Sequence, residues 1–230
     1  MFASFKRFSA KPRTMSARAA MYLAAAGVAL LATDVRASTI QTGPVNPSPG
    51  NAVWTFFSPS QQGTPSSFFA GLGSALDITA ISFIASEVAS FPSNAVWQLT
   101  IGAVPNAIAN WNGSATHNLP LANATTFATQ SFTGTTSVGS LVTFTGDFVY
   151  HPADGDLVVQ ETLVSGSLGG PRFYFFSAIG YKNMYNGGVD ANASESIIFT
   201  YHDAIPEPAS LALLGLAAAA LGMIRRRKQR

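Results

Sequence analysis

Leu141-Val142-Thr143-Phe144-Thr145-Gly146-Asp147-Phe148-Val149-Tyr150 runs into His151-Pro152-Ala153-Asp154-Gly155-Asp156, and then into Leu157-Val158-Val159-Gln160-Glu161-Thr162-Leu163. In an extended chain successive side chains point to opposite faces, so Val142, Phe144, Gly146, Phe148 and Tyr150 fall on one side and Thr143, Thr145 and Asp147 on the other. That period of two predicts strands with one buried face. The Pro, Asp and Gly of the middle segment stand in turn-forming order, and the spacing predicts an antiparallel hairpin over Leu141 to Leu163.

The same alternation recurs outward from this stretch. Trp97, Leu99 and Ile101 alternate with Gln98 and Thr100, and Ile197, Phe199 and Tyr201 alternate with Thr200 and His202. Between Leu76 and Ala85 the apolar phase slips, from Leu76, Ile78 and Ala80 to Ile81, Phe83 and Ala85, which predicts a bulge near Ala80. Strands are expected at Val53 to Phe57, Leu76 to Ala85, Ala95 to Ile101, Thr125 to Phe132, Leu141 to Tyr150, Leu157 to Leu163, Arg172 to Ile179 and Ser196 to His202. Loops are expected at Gly166 to Gly170 and Asn183 to Asn192, and an extended lead-in over Thr33 to Gly50. Many short strands separated by turn residues define an all-β chain, a single β-sandwich of jelly-roll-like type occupying 38–204.

Composition narrows the function classes. The whole chain has a formal charge of +2, yet between Ser38 and Ile205 the bases are Arg172 and Lys182 against nine acids, a formal −7. A body so poor in cations offers no patch to a phosphate backbone, which argues against nucleic acid as a partner. Cysteine is absent, so neither disulfides nor thiolate metal sites are available, and stability must come from apolar burial.

The two ends differ from the body. Lys6, Arg7, Lys11, Arg13 and Arg18 precede an uncharged segment from Ala19 to Thr33, the layout of a signal peptide over 1–37 with cleavage expected between Ala37 and Ser38. At the far end Pro206-Glu207-Pro208 precedes an apolar run, Ala209 to Ile224, and then Arg225-Arg226-Arg227-Lys228. The two prolines cannot enter a helix interior, so a hydrophobic helix carrying Leu211, Leu213, Leu214, Leu216, Leu221 and Ile224 is expected to start after them. Its length of about 24 Å falls short of a hydrocarbon core of about 30 Å, and the basic residues can extend it by snorkelling while holding its end in the cytoplasm.

This order of Pro-Glu-Pro, short helix and Arg-rich end, with an N-terminal signal, resembles the PEP-CTERM proteins of Gram-negative bacteria, over about Ala204 to Arg230. The resemblance implies a sorting tail at 205–230, with the exosortase and the inner membrane as partners. It also implies processing at or near Pro206, Glu207 and Pro208, and delivery to the cell surface or an exopolysaccharide matrix. The expected role is that of a non-enzymatic surface or matrix protein; a permanently anchored single-pass protein and a secreted carbohydrate-binding or carbohydrate-active domain stand as alternatives.

Chemical constellations are sparse. His117, His151 and His202 are scattered, no G-x-S-x-G elbow or HExxH occurs, and no cofactor or metal is expected. Asp147, Asp154, Asp156 and Glu161 are the acids from which a glycosidase pair could be drawn, but Asp154 and Asp156 read more simply as a solvated turn. The ligand candidates are therefore Asp154 and Asp156, as oxygen donors, and Trp111, as a platform for a sugar ring. A loop tryptophan is more commonly a cover for the edge of the core.

Overall fold

The computed structural model describes residues 37–43, 58–185 and 187–203. Among them the expected alternation builds strands β1 (Ser38–Gln41), β2 (Ser60–Thr64), β3 (Leu76–Ile84), β4 (Val96–Val104) and β5 (Thr125–Ser131). These are followed by β6 (Leu141–Tyr150), β7 (Asp156–Ser165), β8 (Phe175–Tyr185), β9 (Gly188–Glu195) and β10 (Ile197–Asp203). One short helix, α1 (Ala115–Asn118), and 3-10 turns at Ser66–Phe69 and Pro152–Asp154 complete the described elements.

The strands form two sheets, a four-stranded one in the order β1-β10-β3-β6 and a six-stranded one in the order β5-β4-β7-β2-β8-β9. Their pairings are antiparallel. The layers share a core in which Phe83, Phe144 and Phe199 of the first meet Trp97, Leu99, Leu157 and Val159 of the second. The chain is thus an all-β sandwich. Phe69, delivered by its 3-10 turn, packs edge-on against Tyr150 at 4.9 Å and Phe199 at 5.5 Å, the geometry that the ring quadrupoles favour.

The slip near Ala80 is present as a double irregularity. The register of β3 shifts against β6 between Ile78 and Ala80, and against β10 between Thr200 and Tyr201. Against β10 the extra residue lies in β3, and against β6 it lies in β6; past the slip Ile81 and Phe83 enter the core after Ile78, so both halves of β3 bury their apolar set.

Several expectations need correction. Leu141 to Leu163 is not a hairpin: β6 pairs with β3 in one sheet, and β7 pairs with β4 and β2 in the other. The linking turn carries the chain from layer to layer. Both strands are apolar on their inner faces, and facing layers bury both sets where neighbours in one sheet would share a single face. Gly155, at φ +129, makes the bend in a region that L side chains avoid, and a Cβ there would strike Val104. The Tyr150 hydroxyl closes the corner by donating to the Gly155 carbonyl at 2.7 Å.

The segment Asn183 to Asn192 is not a loop but part of a hairpin, β8 to β9, turning through Gly187 at φ +76. The lead-in contains β1, which pairs with β10. Strand β2, of sequence Ser-Gln-Gln-Gly-Thr, was not expected at all, and every one of its residues is buried. The strand expected at Val53 to Phe57 lies outside the described residues.

Candidate functional site

Asp154 and Asp156 flank Gly155 in the corner between layers. Asp154 is exposed, whereas Asp156 uses both carboxylate oxygens: Oδ1 accepts from the Ser66 backbone N–H at 3.0 Å and Oδ2 from that of Ile108 at 3.0 Å. Asp156 thereby ties the 3-10 turn before β3 to the loop after β4 through charge-assisted bonds. The two carboxylates are not presented together to solvent. Burial, and then the negative charges of Asp156 and Asp154, push the Tyr150 hydroxyl above the usual tyrosine range, so it remains a hydrogen-bond donor.

Trp111 lies half-buried over a small second cluster of Val104, Ala107, Leu119 and Val158 on the outer face of the six-stranded sheet. Its indole Nε1 donates to the Asn183 carbonyl at 3.3 Å. The loop holding it is pinned by Asn118, whose amide donates to the Asn112 carbonyl at 2.6 Å while its oxygen accepts from the Asn112 N–H at 3.0 Å. This is the position of a lid over the sheet, reached because Gly63 leaves room beneath the ring.

Two groupings escaped the sequence reading. On the outer face of the four-stranded sheet His202 stands opposite Asp77, beside Asp147. Burial raises the Asp77 carboxyl above its ordinary range, Asp147 adds to this by hydrogen bond and charge, and the charge of His202 works the other way. The pairing of β3 with β10 on one side and β6 on the other assembles this trio, and no local pattern announces it.

The second grouping lies inside. Opposed residues of antiparallel strands share a face, so the pairings Ser60 with Glu161, and Gln62 with Val159 and Asn183, place Ser60, Gln62, Glu161 and Asn183 together on the inner side of the six-stranded sheet. Gln62 binds the end of β9. Its Nε2 donates to Glu195 Oε2 at 2.8 Å, and its Oε1 accepts from Glu195 N and Ser194 Oγ, both at 2.7 Å. Glu161 and Glu195 are fully buried. Desolvation, followed by the charge of Glu195, holds the Glu161 carboxyl well above the carboxylate range. Among the described residues no group of three or more His, Asp or Glu side chains forms a metal-ligand cluster.

Of the residues read as a sorting and targeting apparatus, Ala37 and Ser38 are described. Ala37 is exposed and Ser38 is the first residue of β1, opposite Tyr201 of β10. Pro206, Glu207, Pro208, the helix from Leu211 to Ile224 and the basic residues Arg225 to Lys228 lie outside the described residues. Among the described residues no helix is long and apolar enough to cross a membrane.

These features define an all-β sandwich domain. Residues 204–228 match the family model of the PEP-CTERM protein-sorting motif, so the chain carries that motif at its C-terminal end. The motif marks it for exosortase-dependent sorting toward the cell surface. No curated protein matches the chain. Solved structures similar to it include the infectious bursal disease virus Gx strain, at 9% identity and TM-score 0.23, and the VP2 subviral particle of that virus, at 10% and 0.25. The alignments cover 75% and 76% of this chain but 37% and 42% of the viral ones, so the chain spans less than half their length. Likeness at those scores carries no argument about fold or role.

Proposed function

We propose that the protein is a non-enzymatic surface or matrix component. Its leader is removed between Ala37 and Ser38, its Pro206-Glu207-Pro208 motif is processed by an exosortase at the inner membrane, and its sandwich is released into an exopolysaccharide-rich exterior. The sorting motif at 204–228 is the observation that carries this reading. Glu207 and its two prolines serve recognition, the apolar run to Ile224 holds the chain in the membrane, and Arg225 to Lys228 keep its end inside.

The geometry around the ligand candidates supports a structural role. Asp156 spends both oxygens on backbone donors, and Trp111 spends one face of its ring on the sheet and its N–H on a carbonyl. The body is poor in charge of either sign and net acidic, with Arg172 near Glu87 at 3.7 Å, which leaves a hydrogen-bonding surface compatible with a hydrated polysaccharide.

Mass spectrometry of the protein recovered from an exosortase-competent host tests the reading. The expected product begins at Ser38 and lacks Arg225 to Arg230. Recovery of a product that still carries Arg230 overturns processing and leaves a single-pass anchored protein. Turnover of polysaccharide by the purified product overturns the non-enzymatic role.

A further inference from the structure

The inner face of the six-stranded sheet contains an arrangement that sorting does not require. Glu161 sits in β7 with Leu99 opposite on β4 and Ser60 opposite on β2, and the charge of Glu195 reaches it from the end of β9. All four side chains are buried. Neither Glu161 oxygen has a hydrogen-bond partner among the described residues, and the same holds for both amide atoms of Asn183 and for the Ser60 hydroxyl. Ser60 Oγ faces the Glu161 carboxyl closely enough to favour its charged form slightly, without the geometry of a hydrogen bond. Gln62, which shares its face with Asn183, is committed through both side-chain atoms to the strand end that carries Glu195.

A buried polar atom without a partner costs about 1–3 kcal/mol, and an uncompensated buried charge costs several times more. Here two carboxyl groups, an amide and a hydroxyl converge on one region. Among the described residues Arg172 lies at the surface near Glu87, and Lys182 is offset by one residue from Asn183, on the opposite face of β8, so neither faces the Glu161 carboxyl. The donors are all oxygen, they carry up to two negative charges, and the amide and hydroxyl can complete an irregular shell. That is the chemistry of a hard divalent cation that tolerates variable geometry.

We propose that Glu161 and Glu195, with Asn183 Oδ1 and Ser60 Oγ, hold one divalent cation of the calcium type between the two sheets. The cation neutralises the carboxylate pair and binds β2, β7, β8 and β9 to one another from within. Because the ligands are closed off from solvent, it enters as the sandwich forms, and its binding energy adds to the stability of the fold. This inference stands apart from the sorting motif and survives or fails independently of it.

The test uses the full chain in detergent micelles, unfolded in chelator, refolded at neutral pH with chelator or with calcium, and then freed of unbound metal. Retention of one calcium per chain is expected after that removal, and in a parallel sample with free calcium kept at a roughly hundredfold excess over Kd the melting temperature is expected to rise by about 5–10 °C. Glu161→Gln is expected to lose both effects, and Ser60→Ala to weaken retention while still folding. Asp154→Asn, at the exposed corner, is expected to retain the metal.

Three results overturn the proposal. The wild-type chain could retain no metal and melt at one temperature under both conditions. Calcium could have no effect while mild acid stabilises the chain, showing that a proton balances the pair. Retention could survive Glu161→Gln and vanish with Asp154→Asn, placing the metal at the corner. The first two readouts need no variant, so a misfolded mutant leaves the outcome decided.

Discussion

The space between the sheets is furnished in two ways. On the side bounded by β3, β4 and β6 it is filled by Phe83, Trp97, Phe144 and Leu99, all fully buried, with ring pairs such as Phe132 and Phe144 edge to face at 5.0 Å. On the side bounded by β2, β8 and β9 it is filled by Gln62, Glu161, Asn183, Ser194 and Glu195, equally buried. Dispersion and the hydrophobic effect hold the first half, where almost any well-shaped apolar set would serve. The second depends on specific donors and acceptors, each of which is costly if left alone. The aromatic half therefore supplies cohesion, and the polar half supplies selectivity for one strand order.

The largest effect expected is in the aromatic half. Phe83→Ala removes a ring in contact with Phe144 and Phe173, and should lower unfolding free energy by about 3–5 kcal/mol in urea titration. A loss below about 1 kcal/mol would mean that this half is loosely packed and the contrast is false.

Gln62→Leu probes the other half with a residue of similar size. It should cost about 2–3 kcal/mol despite adding apolar surface, since Ser194 Oγ, Glu195 N and Glu195 Oε2 lose their partner. A neutral or stabilising outcome would show the polar half to be replaceable by packing.

The pH response separates the halves further. The folded chain holds Glu161 well above its ordinary value of 4.5, so the native state binds a proton that the unfolded state has released. In metal-free chain the resulting stability is fully present below that ordinary value and is lost as pH rises through the folded pKa. The slope is at most about 1.4 kcal/mol per pH unit for one proton. Denaturant midpoints across pH should fall in this sense for the wild type and flatten in Glu161→Gln.

The smallest effect belongs to the corner outside both halves. Tyr150→Phe keeps the ring against Phe69 and loses only the bond to the Gly155 carbonyl, at a cost of about 0.5–1.5 kcal/mol by thermal melt.

The same division decided what could be read from sequence. The aromatic half was legible down to the bulge in β3, because alternation of Phe, Ile and Val with Thr and Ser is itself the signal. Strand β2 was invisible: Ser60-Gln61-Gln62-Gly63-Thr64 has no apolar residue, and its burial follows from side-chain hydrogen bonds, which leave no periodicity. Glu161 looked like one of several scattered acids, since only strand pairing brings Ser60, Asn183 and Glu195 beside it. The β8 to β9 hairpin was missed for a different reason. Its polar composition resembles a loop, although Asn186-Gly187 is a strong two-residue turn signal between strands. The corner after β6 misled because turn chemistry specifies a reversal and does not specify which layer receives the returning strand.

The pairing of Ser38 with Tyr201 has a kinetic meaning. A chain synthesised from its N-terminus presents the residues of β1 early, yet their partner strand is the last of the body to emerge. The four-stranded sheet cannot be completed until the whole body has been made. Premature closure is thus opposed by sequence separation alone. The outer edge of that sheet is the last part of it to form.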